Sequence, residues 1–526
     1  MPRLGKTVFA LALALALVGC GEERDPETLV FLIESSPTNL DPRVGTDAQS
    51  ARIGQLIFSS LLRRNRNLEL VPDLAEDWEL RDPRTYVFRL RRGIRFHDGR
   101  VLTSADVKYT FESLLDDSLT SIKTGTYRRI EKIEAPDDNT VIFRLKEPYV
   151  HFPLSLSNGA IGIVPQGSGK EFSSQPVGTG PYRFVSVTPD RNVILEKNEA
   201  YFGPAAKVAR VEFRVVPDSV TRALELEKGS ADVTINSLTA DMAETLRGRP
   251  NLRVMQTPGT NYAYLAFNLQ DPILKKRKVR QAIAHALDRD AIIRFLWRNT
   301  VRPALSILPP VSWAYEDDVR TYAYDPARAE KLLDEAGYPR RADGVRFMLT
   351  HKTSTDETAR LKAEIFQAQL AEVGIDIEIR SYDFATFYSD ILDGRFQLYS
   401  LRWIGANNFP EIFNYLFSSA SFPPRGANRG RYRNPRMDTL LDTAQKTFDP
   451  AGQKKIYSEV QRILAADLPY VHLWHFDNVC VFHRRLENVR PYPAGDYDFI
   501  TEINLHPLNH RPVDSRKVPG PSHDAK

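Results

Sequence analysis

Five side chains able to ligate a metal or carry a proton fall within twelve positions: His472, His475, Asp477, Cys480 and His483. The run Val471-His472-Leu473-Trp474-His475-Phe476 alternates as a strand does. That alternation would put His472 and Cys480 on one face and His475, Asp477 and His483 on the other. Strand neighbours two apart stand about 7 Å from each other, so neither face offers a chelating set and no metal is expected. Cys480 reads as a buried small apolar residue. Gly178-Thr179-Gly180 lacks the third glycine of a dinucleotide loop and reads as a turn. No Gly-x-Ser-x-Gly elbow, His-Glu-x-x-His helix or phosphate-binding loop is present. The sequence therefore points away from catalysis and implies no cofactor.

The elements that must position these side chains are mixed. Leu29-Val30-Phe31-Leu32-Ile33 suits a buried strand. Tyr86, Phe88 and Leu90 recur at every second position, with Arg89 and Arg91 beside them, as in a half-buried strand, and Asp98-Gly99 supplies a tight hairpin turn. Thr103 with Asp106 is a capping-box pattern, opening a helix that carries Val107, Phe111, Leu114 and Leu115. Asp325-Pro326 starts another helix that Gly337 stops. A third, around Ile365, Phe366, Leu370 and Val373, ends at Gly374 before the strand of Ile375, Ile377 and Ile379. Asp449-Pro450 opens a fourth. Helices and strands interleave throughout, so the fold class is α/β.

The chain has 526 residues, with 71 basic and 67 acidic side chains and two cysteines. At about 150 residues per domain this allows roughly three or four units. A net charge of +4 demands no nucleic acid. Arg3 and Lys6 precede an apolar stretch from Thr7 to Val18, too short to span a bilayer. It ends in Leu17-Val18-Gly19-Cys20, which resembles the lipobox of bacterial lipoproteins. That resemblance implies a signal peptide at 1–19, acylation of Cys20, a lipidated tether at 20–27 and an extracytoplasmic body held at a membrane. Gly21 is not the aspartate associated with inner-membrane retention. The tail at 511–526, rich in proline and charge, is expected to be disordered.

Leu74-Ala75-Glu76-Asp77-Trp78, Phe96-His97-Asp98-Gly99 and Thr103-Ser104-Ala105-Asp106-Val107 together resemble the signature of the family 5 extracellular solute-binding proteins of ABC importers. Pro176-Val177-Gly178-Thr179-Gly180-Pro181-Tyr182, Tyr264-Leu265-Ala266-Phe267-Asn268, Val279-Arg280-Gln281-Ala282-Ile283 and Tyr324-Asp325-Pro326 continue the pattern in order. The resemblance implies a two-lobed clamp with a subdomain inserted in the first lobe. By analogy, lobe I takes 28–60, 180–268 and 478–510, the inserted subdomain 61–179, and lobe II 269–477. The crossings between lobes would fall near Asn268 and Phe476. Permease subunits would be partners of a monomer. The basic run Lys275-Lys276-Arg277-Lys278-Val279-Arg280 reads as a solvated helix entrance, with docking onto the importer or anionic lipid as the alternative.

Receptors of this family that take dipeptides carry a Gly-Trp-Thr-Gly-Asp-Asn-Gly-Asp-Pro-like segment whose first aspartate pairs with the peptide ammonium. Here the segment reads Arg402-Trp403-Ile404-Gly405-Ala406-Asn407-Asn408-Phe409-Pro410, so Ala406 and Phe409 replace the two acids. A buried ammonium without a carboxylate costs several kcal/mol. Either another acid such as Glu411 or Asp383 moves in, or the ligand presents no free amine there. Trp403, Asn407 and Asn408 suit stacking and hydrogen bonding to a ligand. Asn39, Tyr262, Asn268 and Trp474 complete the ligand set that the two-lobed arrangement implies. A peptide is the leading solute. An oligosaccharide, opine-like compound or metal chelate is the alternative, as is a sensor that signals to a partner protein.

Overall fold

The structure is a computed structural model that describes residues 25–116, 119–121, 123–157, 159–405 and 409–507. The expected signal peptide, Cys20, the 511–526 tail, and Ala406, Asn407 and Asn408 lie outside the described residues.

Two sheets organise the molecule. The first has seven strands in the order Leu252–Thr257, Asn478–His483, Val233–Ile235, Thr28–Ile33, Arg210–Val215, Asn192–Lys197 and Tyr182–Thr188. Thr28–Ile33 is apolar almost throughout because both of its faces are covered. Phe31 packs with Phe213 and Tyr497 on one side, while Val30 and Leu32 meet Leu226 and Leu246 on the other. A buried Arg485–Asp232 ion pair closes this region. Arg485 Nε donates to Asp232 at 2.6 Å, and both side chains are fully buried. Asp232 also accepts the Val30 N–H, so one carboxylate serves the strand and the guanidinium together.

The second sheet has six strands: Val301–Pro303, Tyr470–Phe476, Tyr262–Phe267, Leu398–Trp403, Phe347–Ser354 and Ile375–Tyr382. The helix Glu357–Glu372 is the crossover between the parallel strands Phe347–Ser354 and Ile375–Tyr382, the second of which is the sheet edge. Asp356 caps it by accepting the Ala359 N–H, and Gly374 at φ +82° turns the chain into the next strand. A four-stranded antiparallel sheet, Ala75–Asp82, Thr85–Leu90, Thr140–Leu145 and Ile130–Asp137, forms a third core with the helix Ser104–Leu115.

The chain passes from the first sheet to the second between Thr257 and Tyr262, not near Asn268. Tyr262–Phe267 pairs on both edges within the second sheet, which puts Asn268 at the end remote from the crossing. The return passes between Phe476 and Asn478. The two crossings touch: the Phe476 N–H donates to the Asn261 carbonyl at 2.8 Å. A Cβ at Gly259 would stand 2.4 Å from the Phe476 carbonyl oxygen, so only glycine allows this approach.

Candidate functional site

Strand direction places the site. Tyr262, the first residue after the crossing, pairs with Trp403, so Leu398–Trp403 ends at the crossings. Phe347–Ser354 and Ile375–Tyr382 run parallel to it and end on the same side. In the first sheet, Thr257 pairs with Asn478, and Val233–Ile235 and Thr28–Ile33 also end there. Both sheets thus aim the carboxyl ends of their parallel strands at one cleft, the position where open α/β sheets bind ligands.

The strand Leu398–Trp403 offers this cleft two different surfaces. Trp403 lies on the face shared with Tyr262, Tyr264 and Tyr399. Its ring is half-buried, parallel to Tyr264 at 6.3 Å and edge-on to Tyr415 at 6.3 Å. The Arg429 guanidinium lies 5.0 Å from the Trp403 ring and donates to the hydroxyls of Tyr264 at 3.2 Å and Tyr388 at 2.7 Å. Tyr388 in turn stacks on the exposed ring of Phe384, 5.7 Å away. This aromatic shelf suits stacking on a flat or apolar group.

Arg402 lies on the opposite face, opposite Ala263 and in line with Ser400 and Leu398. It is solvent-accessible, and its guanidinium is 5.8 Å from the Phe476 ring. Burial among its neighbours pulls its pKa down, while Asp356 and Glu34 push the other way. Lys362, on the crossover helix, is buried, and that burial with the nearby Arg402 charge lowers it to about 8. From the first sheet, Glu34 follows the Thr28–Ile33 strand, and Arg52 lies 5.5 Å from the Tyr497 ring.

Several expected ligand residues are placed elsewhere. Trp474 is fully buried, with its ring 5.8 Å from Trp297. A register shift in the Tyr262–Phe267 and Tyr470–Phe476 pairing breaks the simple alternation, so Leu473 and Trp474 both enter the core. The same bulge overturns the expected separation of His472 from His475. Both flank the Tyr262 ring, at 5.7 and 5.4 Å. Tyr262 is itself fully buried and hydrogen-bonds His472 through its hydroxyl. The Asn268 carboxamide donates to the Gly394 and Phe396 carbonyls, away from the cleft. Asn39 is half-buried and accepts the Asp41 N–H at 2.8 Å, at the edge of a cavity of about 30 Å³ in the first lobe. Trp403 is the expected ligand residue that the described structure leaves at the cleft. Arg402, Lys362, Phe384 and Arg429 were not anticipated. The signal for Arg402 was available, because it stands where the resembled segment has glycine.

Of the acids considered as substitutes for the missing aspartate, Asp383 caps the helix Phe384–Leu392 through the Thr386 N–H. Glu411 is pushed up to about 7 by burial, with Arg129 opposing. It is therefore partly protonated at neutral pH and a weak partner for an ammonium group. Gly405 and Phe409, on either side of residues 406–408, both meet residues outside the second sheet. The Gly405 N–H donates to Asn261, and Phe409 packs 5.9 Å from the Arg64 guanidinium.

Residues 69–423 match the model of the bacterial extracellular solute-binding proteins, family 5. The chain belongs to this family. It is 27% identical to the dipeptide-binding protein of Escherichia coli (strain K12) over 531 residues, covering 95% of this chain and 97% of that protein. It is 30% identical to the glutathione-binding protein GsiB of Pectobacterium atrosepticum, covering 84% and 88%. Among solved structures, the periplasmic binding protein DppA from Helicobacter pylori, in complex with the peptide STSA, superposes with a TM-score of 0.76 at 27% identity. That match covers 91% of this chain and 98% of that one. The fold is the two-lobed binding-protein clamp, and the relatives are binding proteins of ABC transporters, not enzymes.

Proposed function

We propose that this protein is the lipid-anchored, extracytoplasmic receptor of an ABC importer. It would capture a peptide-like solute between its lobes and deliver it, as a monomer, to a membrane permease. The observation that carries this reading is the convergence of both sheets' strand ends on one cleft beside two touching crossings. A ligand there contacts both lobes at once and so shifts the balance toward a closed form. Cys20 supplies the anchor in this reading. The relatives named for dipeptides, glutathione and a bound tetrapeptide support a peptide-like solute.

Native mass spectrometry of the full-length protein, followed by denaturing extraction, tests the solute class. A ladder of peptide masses is the expected result, and a single non-peptide mass would replace the peptide reading. Trp403→Ala should weaken binding of the extracted solute by more than about 1 kcal/mol if the ring stacks on it. Unchanged affinity in a folded variant would remove Trp403 from the site.

A further inference from the structure

A helical hairpin of the second lobe reaches out of its own core. The helices Pro435–Lys446 and Pro450–Asp467 join the core of the second sheet through Met437, Leu441, Ala444 and Tyr457. Three residues, Thr447-Phe448-Asp449, connect them. The Phe448 ring at that tip packs against the third core, the one built on the four-stranded sheet. The third core meets it with the segment that follows the strand Thr140–Leu145. There the Val150 N–H donates to the Gln445 carbonyl at 3.0 Å, one of the carbonyls that the end of Pro435–Lys446 leaves without a helical partner. Beside it, His151 hydrogen-bonds the Tyr457 hydroxyl at 2.7 Å.

The third core is fastened more firmly to the first lobe. At its neck the Gly180 N–H donates to the Ile57 carbonyl at 2.8 Å, and the Ile163 N–H to the Ser59 carbonyl at 3.0 Å. Arg66 forks onto Glu502 at 2.9 and 2.8 Å, and Lys123 donates to the Pro42 carbonyl at 2.7 Å. The seam with the hairpin is less completely filled. A cavity of about 270 Å³ lies along it, between Arg129, Glu147 and Pro148 on one side and Asn414, Asp438 and Asp442 on the other. Incomplete packing forfeits contact energy, so such a seam parts more easily than a filled core. The three cores thus close a ring. The third is covalently part of the first lobe and touches the second, which the two crossings join to the first. A swing about those crossings must part the seam or tear the third core from the first lobe, and the seam is the weaker joint.

We infer that this seam is a latch on the clamp. Phe448 sits against the third core when the lobes are together, is withdrawn when they part, and so sets how long a solute is held. It does this from residues that belong to neither large sheet. The inference rests on the solute-binding reading given above. A contact made in only one of two states shifts their balance by its own free energy, whether or not a ligand touches it. The strand ends at the cleft then decide what is bound, and the hairpin tip decides how readily it leaves.

The test uses the full-length protein with nitroxide labels at two exposed positions, Leu224→Cys on the first lobe and Leu361→Cys on the second. Cys480 is buried and takes no label. Interlobe distances are read by double electron–electron resonance with and without a mixture of free tripeptides. Amide exchange of residues 146–152 is followed alongside. Phe448→Ala should raise the ratio of long to short distances by at least about fivefold, and speed exchange of the Val150 amide by a similar factor. Tyr457→Phe, which deletes one hydroxyl, should act in the same direction by about two- to threefold. Phe448→Leu keeps an apolar tip and should stay near the parent, which separates a lost latch from a misfolded hairpin. The latch is overturned if Phe448→Ala keeps the parent's distances in both conditions, or if Val150 exchanges faster with no change in distance. It is equally overturned if Phe448→Leu opens the clamp as far as Phe448→Ala does. Tripeptides that fail to shorten the parent's distances would remove the peptide reading and leave the latch, which the comparison of variants decides.

Discussion

Arg485 in the first lobe and Lys362 in the second are both buried cations on the covered side of a sheet, yet they differ in what meets them. Arg485 is held by Asp232 and by the carbonyls of Pro26, Thr28 and His506. Lys362 meets no carboxylate among the described residues. The first cation is consumed by the fold, tying the start of the body to its end. The second is left over at the carboxyl ends of strands, where open α/β sheets bind ligands. The difference separates ionic groups that specify structure from ones that remain available for chemistry.

Breaking the paired site should have the largest effect. Arg485→Met strands a fully buried Asp232 carboxylate and should cost about 3–5 kcal/mol, read from the denaturant midpoint at constant slope. A neutral buried pair gives an intermediate case. His151 hydrogen-bonds the Tyr457 hydroxyl at 2.7 Å, and burial holds it down at about 4 instead of 6.5. Its folded pKa lies below its unfolded one, so stability falls as pH drops from about 6.5 toward 4. At pH 5 the penalty is about 2 kcal/mol. His151→Phe should therefore be relatively less harmful at pH 5 than at pH 7, and an equal loss at both would show that His151 does not titrate there.

Removing the unpaired cation should act in the opposite sense to Arg485→Met. Lys362→Met replaces a charge that burial disfavours with an unbranched apolar chain, and should raise stability by on the order of 1 kcal/mol. A loss instead would mean that Lys362 has a structural partner after all. Smallest is Arg402→Gln, whose side chain is accessible and makes one ring contact at 5.8 Å. Its thermal midpoint should correspond to a change within about 0.5 kcal/mol.

The local structure was largely legible. The Thr103 and Asp106 capping box, the Asp98-Gly99 turn with Gly99 at φ +89°, and the helices opened by Asp325-Pro326 and Asp449-Pro450 all form as read. Each is a short-range rule that needs no tertiary partner. Gly178-Thr179-Gly180 was read as a turn, and the structure adds a reason. A Cβ at Gly178 would stand 2.0 Å from the Ile57 carbonyl oxygen, and one at Gly180 2.5 Å from that of Leu56, so the glycines let the chain run against a helix end. Trp474 was misplaced because one bulge in its strand moves its side chain into the core, and nothing in the pattern of residue types marks the register shift. Arg402 carries no family motif of its own, so its type alone does not mark it as a site residue. What the segment had gained was in plain view one residue before Trp403.

The contact between the two crossings has a mechanical consequence. Linkers set side by side, with the Phe476 N–H bound to the Asn261 carbonyl and Gly259 pressed against Phe476, resist sliding and twisting far more than bending. Opening is thereby reduced to one swing about a short axis. A solute between the lobes meets jaws that approach along a fixed arc, so its bulk sets the angle at which they stop. That angle is a quantity a membrane partner could read without touching the solute at all.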